Sequence, residues 1–381
     1  ASGKKLQTFQ EYADDVAGVA LSGDGKSLAV AGPGVHLWDL ANGKKTGTFR
    51  GQHAYFTTVA LSREGKHVIA GSGSEEAILW EAQSGKQLRT FPGFDAYFGP
   101  RVCVAITADA QRVAVMGLQS VDLWDTAPGN KLGTVARPDR ALAQPQWYMP
   151  FTSGTFALSS DGKVFVYGEI GKAASLWDAA SGKKLQSFEG HPDRVYHVAL
   201  SGDGKLVLTG SRTAILWDAA SGKKLRTFAG GAAGVALSAD GKVAVTGSGA
   251  KATLWNAVNG DKLRNFEGGM HEIVDLTLSG DGKHLWTISK DRSSGFWNTY
   301  MGQSIRLWDT TTGKERCRIY SLNMGDDWLV VTPDGHFDGS NASWRFVAYR
   351  APGMTKLLDD DATLKRFHRP GLLAEVWNRE R

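Results

Sequence analysis

Short apolar runs separated by tight polar turns recur along the whole chain. Residues 195–228 show the pattern: an apolar run at 195–200, a Gly-Asp-Gly turn, further runs at 206–210 and 214–218, a Gly-Lys turn and a last run at 225–228. Short apolar runs bounded by Gly, Asp and Ser are typical of β-strands. Each unit therefore predicts four strands, named a to d in chain order, joined by tight turns.

The four-strand unit repeats at a spacing of roughly 40 residues. Tight turns with an acid beside Gly or Ala recur at Asp24, Glu64, Asp109, Asp161, Asp203, Asp240, Asp281 and Asp334. Leu-Trp pairs follow these turns and end at Trp38, Trp80, Trp124, Trp177, Trp217, Trp255 and Trp308. A single four-stranded blade cannot bury both of its faces, so this period predicts a closed β-propeller in which blades stack side by side.

Strand c of each unit is apolar at consecutive positions, as at Ile215, Leu216 and Trp217. A strand with one wet face would alternate apolar and polar residues, whereas a strand covered on both faces reads as continuously apolar. The Trp of strand c is therefore expected to pack between neighbouring blades.

The recurring Trp-Asp dipeptide resembles the mark of the WD-repeat family. It occurs at Trp38-Asp39, Trp124-Asp125, Trp177-Asp178, Trp217-Asp218 and Trp308-Asp309, with Trp80-Glu81 and Trp255-Asn256 as variants. The resemblance implies an all-β propeller of four-stranded antiparallel blades. It also implies a buried polar network of a Gly-His pair, a Ser or Thr, an Asp in the b to c turn and the Trp.

That polar network is largely absent from this sequence. Gly190-His191 is the one Gly-His pair in normal register, and Arg212 stands in its blade where the family has the acid. The seventh repeat keeps Ser289, Asp291 and Trp308, but its His271 is displaced by about two residues. Packing and turns, and not the network, carry the fold prediction.

The turns favour eight blades. The eighth acid turn lies within residues 328–339, and residues 343–350 are predicted to be a third strand without the Trp-Asp mark. Residues 1–9 nearly copy residues 180–188, so residues 4–9 form a fourth strand that lacks a blade. Pairing it with the blade formed by 325–350 would close the ring and remove both sheet edges. This gives a propeller over 1–358 and a helical tail over 359–381; the alternative is seven blades with residues 325–381 as a cap.

Composition excludes several classes of function. No apolar run approaches the ~18 residues of a membrane-spanning helix, and Cys103 and Cys317 are too isolated to form a disulfide framework and are expected to be buried. The net charge is +5, but the lysines of the c to d turns alternate with the acids of the a to b turns. Such a ring offers no continuous phosphate track, so we expect no nucleic-acid partner and no membrane partner.

The predicted inner strands carry little chemistry. Among acidic residues and histidines, the predicted inner strands contain only His197 and Asp275, and neither has a partner nearby in the sequence. A nucleophile with a recognisable activating partner is also missing. We therefore expect a non-catalytic protein without cofactor or metal; a propeller enzyme or small-ligand sensor using the channel mouth is the alternative.

The repeat is stretched at three places, all at the end of the ring that carries the b to c and d to a connections. They are the connections entering blades 3 and 4 and an insertion at 293–303 in blade 7. Insertions on one face of a repeat protein often mark its binding face, and these are rich in the aromatic and Arg residues that dominate interfaces. The predicted partner-binding residues are Phe94, Tyr97, Phe98, Arg137, Arg140, Trp147, Tyr148, Phe151, Phe296, Trp297, Tyr300 and Met301.

The C-terminal segment carries a second resemblance. Residues 327–379 are similar to the segment that ends the propeller in bacterial WD-repeat proteins, including proteins joined to caspase-like domains. Helices are expected at 361–367 and 371–377, divided at Pro370. Together these features predict an interaction scaffold or sensor module of a larger bacterial, cytoplasmic, multidomain protein, monomeric in isolation, with a protein or peptide partner.

Overall fold

A computed structural model describes most of the chain. The described residues are 16–51, 55–72, 76–92, 102–117, 120–136, 156–169, 172–231, 234–267, 272–292, 300–322, 327–347 and 360–378. Their strands form seven antiparallel sheets, six of four strands and one of six strands. The prediction of an all-β propeller of four-stranded antiparallel blades is confirmed.

Each of the first four blades consists of four consecutive strands, counted from the channel outward. Blade 1 contains β1 (Gly18–Leu21), β2 (Ser27–Ala31), β3 (Val35–Asp39) and β4 (Lys44–Phe49). Blade 2 contains β5 (Phe56–Leu61), β6 (His67–Ser72), β7 (Glu76–Glu81) and β8 (Gln87–Pro92). Blade 3 contains β9 (Cys103–Ile106), β10 (Arg112–Met116), β11 (Ser120–Asp125) and β12 (Lys131–Ala136). Blade 4 contains β13 (Phe156–Leu158), β14 (Val164–Gly168), β15 (Ala174–Asp178) and β16 (Lys184–Phe188).

The last three blades continue this order, and the seventh is extended. Blade 5 contains β17 (His197–Leu200), β18 (Leu206–Gly210), β19 (Ala214–Asp218) and β20 (Lys224–Phe228). Blade 6 contains β21 (Gly234–Leu237), β22 (Val243–Ser248), β23 (Lys251–Asn256) and β24 (Lys262–Glu267). Blade 7 contains β25 (Ile273–Leu278), β26 (His284–Arg292), β27 (Tyr300–Asp309) and β28 (Glu315–Leu322), followed by β29 (Asp327–Val331) and β30 (Phe337–Gly339). A 3-10 helix (Asn341–Phe346), α1 (Asp361–Phe367) and α2 (Leu372–Asn378) complete the described chain.

The inner strands close into a ring of seven, so the preference for eight blades is wrong and the seven-blade alternative is right. Each strand a contacts strand a of the next blade, and β25 of blade 7 contacts β1 of blade 1. Across that contact, the N–H of Val19 donates to Asp275 Oδ2 at 3.2 Å. No position remains between blades 7 and 1 for the inner strand of an eighth blade.

The segment predicted to be an eighth blade is instead attached to the rim of blade 7. Residues 329–331, expected to form an inner strand, lie in β29, which pairs with β28. The strand β28 has eight residues. Its residues 318–322 pair with β29, the first strand of the extra hairpin. The third strand predicted at 343–350 is wrong as well, since Asn341–Phe346 is a 3-10 helix. The predicted closing strand at 4–9 lies outside the described residues.

The rim extension has a hydrophobic core of its own. Leu329, Val331 and Phe337 pack with Val347 and with Leu364 of α1. A hairpin buried on both faces by such a cluster reads in the sequence like an inner strand, because both are continuously apolar. Hydrophobicity alone therefore could not distinguish a rim strand from an inner strand.

Aromatic pairs fill most seams between blades, as expected for the Trp of strand c. The strand d Phe of one blade meets the strand c Trp of the next in five pairs: Phe49–Trp80, Phe91–Trp124, Phe188–Trp217, Phe228–Trp255 and Phe266–Trp308. Their ring centroids are 5.3 to 5.8 Å apart. Such tilted contacts contribute about 1 kcal/mol each beyond the area that they bury.

Side chains of strand d also bridge seams at the rim. Arg226 Nη2 donates to the Val258 carbonyl in the c to d turn of blade 6 at 2.6 Å, and Arg89 Nη2 donates to the matching Ala127 carbonyl at 3.1 Å. Arg264 donates to the carbonyls of Thr311 and Thr312 in blade 7. We call these contacts the rim hydrogen bonds.

The seam between blades 7 and 1 is built differently, because α2 fills it. The position of the rim arginine is taken by the buried Cys317, and Asn378 Nδ2 of α2 donates instead to the Ala41 carbonyl at 2.8 Å. Ala41 lies at the same position of its c to d turn as Ala127 and Val258. The apolar residues of α2, ending in Trp377, pack into one cluster with Trp38 and Trp286. The C-terminal helix therefore takes the place of a rim hydrogen bond and supplies an aromatic ring to the closing seam.

Candidate functional site

The two ends of the ring carry different connections. Turns from a to b and from c to d lie at one end, the ab face; the examples in blade 1 are residues 22–26 and 40–43. Connections from b to c and from d to the next strand a lie at the other end, the bc face, represented in blade 1 by residues 32–34 and 50–55. This division follows from the antiparallel order of the strands, because each strand reverses the direction of the previous one.

The acid turns of the ab face are structural. In blade 5, Ser201 Oγ donates to Asp203 Oδ1 at 2.7 Å, and the N–H of Lys205 donates to the same oxygen at 3.1 Å. The Ser201 hydroxyl is the main cause that holds the pKa of Asp203 below its usual value. The same bond from Ser or Thr to Asp recurs at Ser22–Asp24, Thr107–Asp109, Ser159–Asp161, Ser238–Asp240, Ser279–Asp281 and Thr332–Asp334. These carboxylates hold turns and do not form a site.

Backbone hydrogen bonds join these turns around the ab mouth of the channel. The N–H of each turn donates to a carbonyl of the next blade's turn in the pairs Asp24–Arg63, Arg63–Ala108, Ala108–Ser160, Ser160–Gly202, Gly202–Ala239 and Ala239–Gly280. Most residues of this ring are Gly, Ala or Ser, and their backbone groups are paired with one another. The ab mouth therefore presents few side chains that could distinguish one ligand from another.

The bc face departs from the repeat. Residues 93–102 and 137–155 separate strand d from the next strand a before blades 3 and 4, whereas five to eight residues do so before blades 2, 5, 6 and 7. In blade 7, β26 and β27 have nine and ten residues, against five or six for strands b and c elsewhere. Their extra pairs, such as Lys290↔Gln303 and Arg292↔Tyr300, carry the hairpin about 10 Å beyond the other b to c turns.

The sequence-predicted site residues belong to these three connections, and most lie outside the described residues. Those outside are Phe94, Tyr97, Phe98, Arg137, Arg140, Trp147, Tyr148, Phe151, Phe296 and Trp297. Tyr300 and Met301 are the first two residues of β27, where Tyr300 pairs with Arg292. Their backbone places them at the bc end of the blade 7 hairpin.

The seven-blade ring changes how the three connections face one another. With eight blades, blade 7 would stand opposite blade 3. In a ring of seven, the point opposite blade 7 is the seam between blades 3 and 4. The long connections enter these two blades, so the blade 7 hairpin lies across the channel from both.

Blade 5 contains a buried polar network close to the bc face, and this network is incomplete. Thr209 Oγ1 accepts from Trp217 Nε1 at 2.7 Å and lies 2.6 Å from His191 Nε2. Because the Thr209 proton is donated to the Ile215 carbonyl, His191 must donate its Nε2–H. Nδ1 of His191 is buried and has no hydrogen-bond partner. Burial is the main cause that lowers the pKa of His191 to about 4, so the ring is neutral.

Arg212, which stands where the WD-repeat family has an acid, turns outward and does not complete that network. Its side chain is 80% exposed, and its Nε donates to Asp193 Oδ2 at 2.9 Å. Asp193 Oδ1 accepts from the N–H of Arg194 at 2.8 Å, and this bond is the largest cause of the lowered pKa of Asp193. The guanidinium is thus held at a fixed place on the bc face.

Tyr196 lies in the same connection as Asp193, and the sequence did not identify Tyr196, Asp193 or Arg212 as candidate site residues. Tyr196 directly precedes the inner strand β17, and its residue is 42% exposed. The signal that could have found the cluster was the Arg at the position of a structural acid. In the sequence, Arg212 indicates only that the repeat lacks its acid, whereas the structure shows that an exposed charge replaces it.

His197 and Asp275 do not form a catalytic pair. His197 lies on β17 of blade 5 and Asp275 on β25 of blade 7, with blade 6 between them. Both are buried, and desolvation lowers the pKa of His197 to about 4. Asp275 accepts backbone hydrogen bonds from Val19 and Leu276. These contacts assign Asp275 to the closure of the ring.

The described part of the chain includes a cleft in one seam and an open surface groove. The cleft lies between blades 7 and 1, has an empty volume of about 240 Å³ and is lined by residues including His36 and Asp327. The groove, of about 1000 Å³, lies on the ab face among alternating acids and bases of blades 1 and 2. Neither Cys103 nor Cys317 forms a disulfide, and both are buried, as predicted.

The described residues contain neither a metal-binding cluster nor a membrane-spanning helix. No group of three or more His, Cys, Asp or Glu residues there is arranged to hold a metal ion. The described helices are all too short or too polar to cross a membrane.

Comparison with known proteins agrees with this architecture. Residues 182–218 match the family model "WD domain, G-beta repeat". Angio-associated migratory cell protein from Homo sapiens is 26% identical over 182 residues, which are 46% of this chain and 42% of the relative. Autophagy-related protein 16 from Arabidopsis thaliana is 26% identical over 183 residues, 47% of this chain and 32% of the relative. The chain therefore spans less than half the length of these relatives.

The matched segment runs from the c to d turn of blade 4 to the end of strand c in blade 5. It contains the Gly190-His191 pair and Trp217-Asp218, and the other blades repeat its strands and turns around a closed ring. The chain is a seven-bladed β-propeller, and its residues 182–218 are similar to a WD repeat.

Proposed function

We propose that this chain is a non-catalytic interaction module that binds a protein or peptide partner on its bc face. One observation carries the proposal: the described strands keep the repeat at the ab face, and the departures from it are concentrated at the bc face. The blade 7 hairpin projects there, opposite the two blades that the longest connections enter. Insertions confined to one face are typical of the binding face of a repeat protein.

Residue chemistry supports the same face. The three connections contain Trp147, Tyr148, Trp297 and Arg140, residue types that supply most of the binding energy in protein interfaces. The ab mouth, in contrast, is a ring of small residues joined by backbone hydrogen bonds. A partner that binds by burying aromatic side chains would use the bc face.

The alternative of an enzyme or small-ligand sensor has less support. A deep pocket in which His197, Asp275 or the arginines of the long connections converge would favour it, but His197 and Asp275 are buried on different, non-adjacent blades. The C-terminal resemblance adds a finer proposal, that the module belongs to a larger bacterial, cytoplasmic protein whose other domains it regulates or targets.

The test shortens the blade 7 hairpin without disturbing the blade. Residues 290–303 are replaced by one Gly, so that Ser289-Gly-Ser304 copies the Ser211-Arg212-Thr213 turn of blade 5. Tagged wild-type and shortened proteins are used for affinity capture from the source cells, followed by quantitative mass spectrometry. We expect a defined set of proteins to be retained by wild type and lost by the variant, at an unchanged melting temperature.

A matched control alters the opposite face. Lys163, an exposed ab-face residue paired with Asp161, is replaced by Ala and should retain the same proteins. Equal capture by the wild-type and shortened proteins would contradict the proposal. Loss of capture by both variants would also contradict it, because binding would then not depend on the bc face.

A further inference from the structure

Arg212 is an exposed cation that is held by an ion pair through one of its three guanidinium nitrogens. This ion pair uses Nε, which donates to Asp193 Oδ2 at 2.9 Å. Within the described part of the chain, Nη1 and Nη2 of Arg212 have no hydrogen-bond partner. A guanidinium presents its donors in a rigid fork, so fixing Nε also fixes the direction of the outer pair.

Backbone hydrogen bonds order both Asp193 and the turn that carries Arg212. Asp193 accepts from the N–H of Arg194, and Arg212 sits in a tight turn in which the N–H of Ser211 donates to the Thr213 carbonyl at 3.0 Å. Arg212 is therefore held from two sides, by its own turn and by the neighbouring connection. A cation held in this way loses less conformational entropy on binding than a free surface arginine.

The surroundings favour an anion. Lys172 of blade 4 is exposed and acts on Asp193 through its charge, and Arg194 adds a third basic group. Asp193 and the exposed Glu189 oppose them. The formal charges of these five residues sum to +1, so the group attracts an anion.

We infer that Arg212 binds the carboxylate of an Asp or Glu side chain in a partner segment that crosses the bc face beside Tyr196. The inference rests on the proposed function and adds the chemistry of the partner: an acidic segment with an apolar neighbour. The two outer nitrogens of Arg212 donate to the two carboxylate oxygens, the bidentate geometry that suits this pair. The exposed ring of Tyr196 packs against the apolar neighbour.

The experiment follows the Arg Nε–Hε resonances of ¹⁵N-labelled full-length protein by NMR. The probe is the blocked peptide Ac-Gly-Glu-Leu-Glu-Gly-amide, and the control peptide has Gln in place of both Glu residues. We expect a saturable shift of the Arg212 signal, identified by its loss in Arg212→Gln, with the Glu peptide and not with the Gln peptide. Arg212→Gln should raise Kd by about fivefold, as expected for an exposed charge pair.

Arg226→Gln is the matched control, since Arg226 is an exposed arginine of the same blade that serves a rim hydrogen bond. It should leave Kd unchanged. Equal effects of the two substitutions, or equal binding of the Glu and Gln peptides, would overturn the inference. Tighter, Arg212-dependent binding of a phosphoserine peptide would overturn the assignment of a carboxylate.

The shortened blade 7 hairpin separates this inference from the proposed function. Blade 7 lies two blades away from Arg212, so the shortened protein should still bind the Glu peptide. Loss of cellular partners on shortening, together with no effect of Arg212→Gln on the peptide, would leave the bc-face proposal standing and remove only the carboxylate site.

Discussion

The C-terminal helix α2 should control the stability of the closing seam, and Trp377→Ala tests this. Trp377 is 3% exposed, and its ring lies 6.4 Å from that of Trp286 and 4.3 Å from that of His284. Its Nε1 has no hydrogen-bond partner, so the substitution removes packing alone. Truncating a buried Trp to Ala costs about 3–5 kcal/mol.

The expected loss of stability can be measured as a fall in melting temperature. Hydrogen exchange shows which strands are destabilised. In a domain of this size, 1 kcal/mol corresponds to roughly 2 °C, so the melting temperature should fall by about 6 to 10 °C. Hydrogen-exchange mass spectrometry should show lost protection in β2, β3 and β26, which carry Leu28, Trp38 and Trp286 of the same cluster. Blades 3 to 5 should change little.

Trp255→Ala is the matched comparison, because it truncates a buried Trp in the seam between blades 5 and 6. Its exchange should increase around β20 and β23 and not at the closing seam. The reasoning is refuted if Trp377→Ala lowers the melting temperature by less than about 1 °C. It is also refuted if the two variants lose protection in the same strands.

Two further predictions concern other parts of the ring. Arg264→Ala removes the hydrogen bonds to the Thr311 and Thr312 carbonyls at 2.6 and 2.9 Å and should lower the free energy of unfolding by about 1–2 kcal/mol in urea titrations; no change would show that rim hydrogen bonds are energetically neutral. The pKa values of His36, His191 and His197 are lowered to about 3, 4 and 4, mainly by burial. Unfolding therefore takes up protons below the unfolded value of about 6.5, and stability should decline as pH falls from about 6.5 to 4. His191→Gln should flatten that decline; an unaltered slope would contradict the neutral assignment.

Several features of the fold followed from the sequence because they depend on local chemistry. A Ser or Thr two residues before an Asp, followed by Gly or Ala, fixes most of the a to b turns through its own side chains, as Ser201 and Asp203 show. A strand c that is apolar throughout, such as the run ending at Trp217, has to be covered on both faces. The helix at 361–367 begins where Asp360 accepts from the N–H of Thr363, a short-range bond that sequence can indicate.

The number of blades was not a local property. The hairpin β29–β30 has the acid turn and the apolar residues of an inner hairpin, and only its pairing with β28 places it at the rim. The sequence also could not show that α2 donates to Ala41 from 337 positions away. Both outcomes depend on contacts between segments that are remote in the chain.

The candidate site divides in the same way. The sequence indicated that the repeat is interrupted at the bc face, because the lengths of the connections are read directly along the chain. The use of this face for binding and the twelve predicted binding residues remain predictions. It did not identify Arg212 as a presented cation, since that required knowing that Asp193 lies 2.9 Å from its Nε and that His191 Nδ1 is left unpaired.

By itself, the sequence determined the repeating unit, its turns and the face on which the repeat is interrupted, because each is set by residues within one unit. Only the tertiary structure decided how many units close the ring, what fills the last seam and which charge is held outward. These are decided by packing and pairing between units, where the same apolar pattern fits an inner strand and a rim strand equally well.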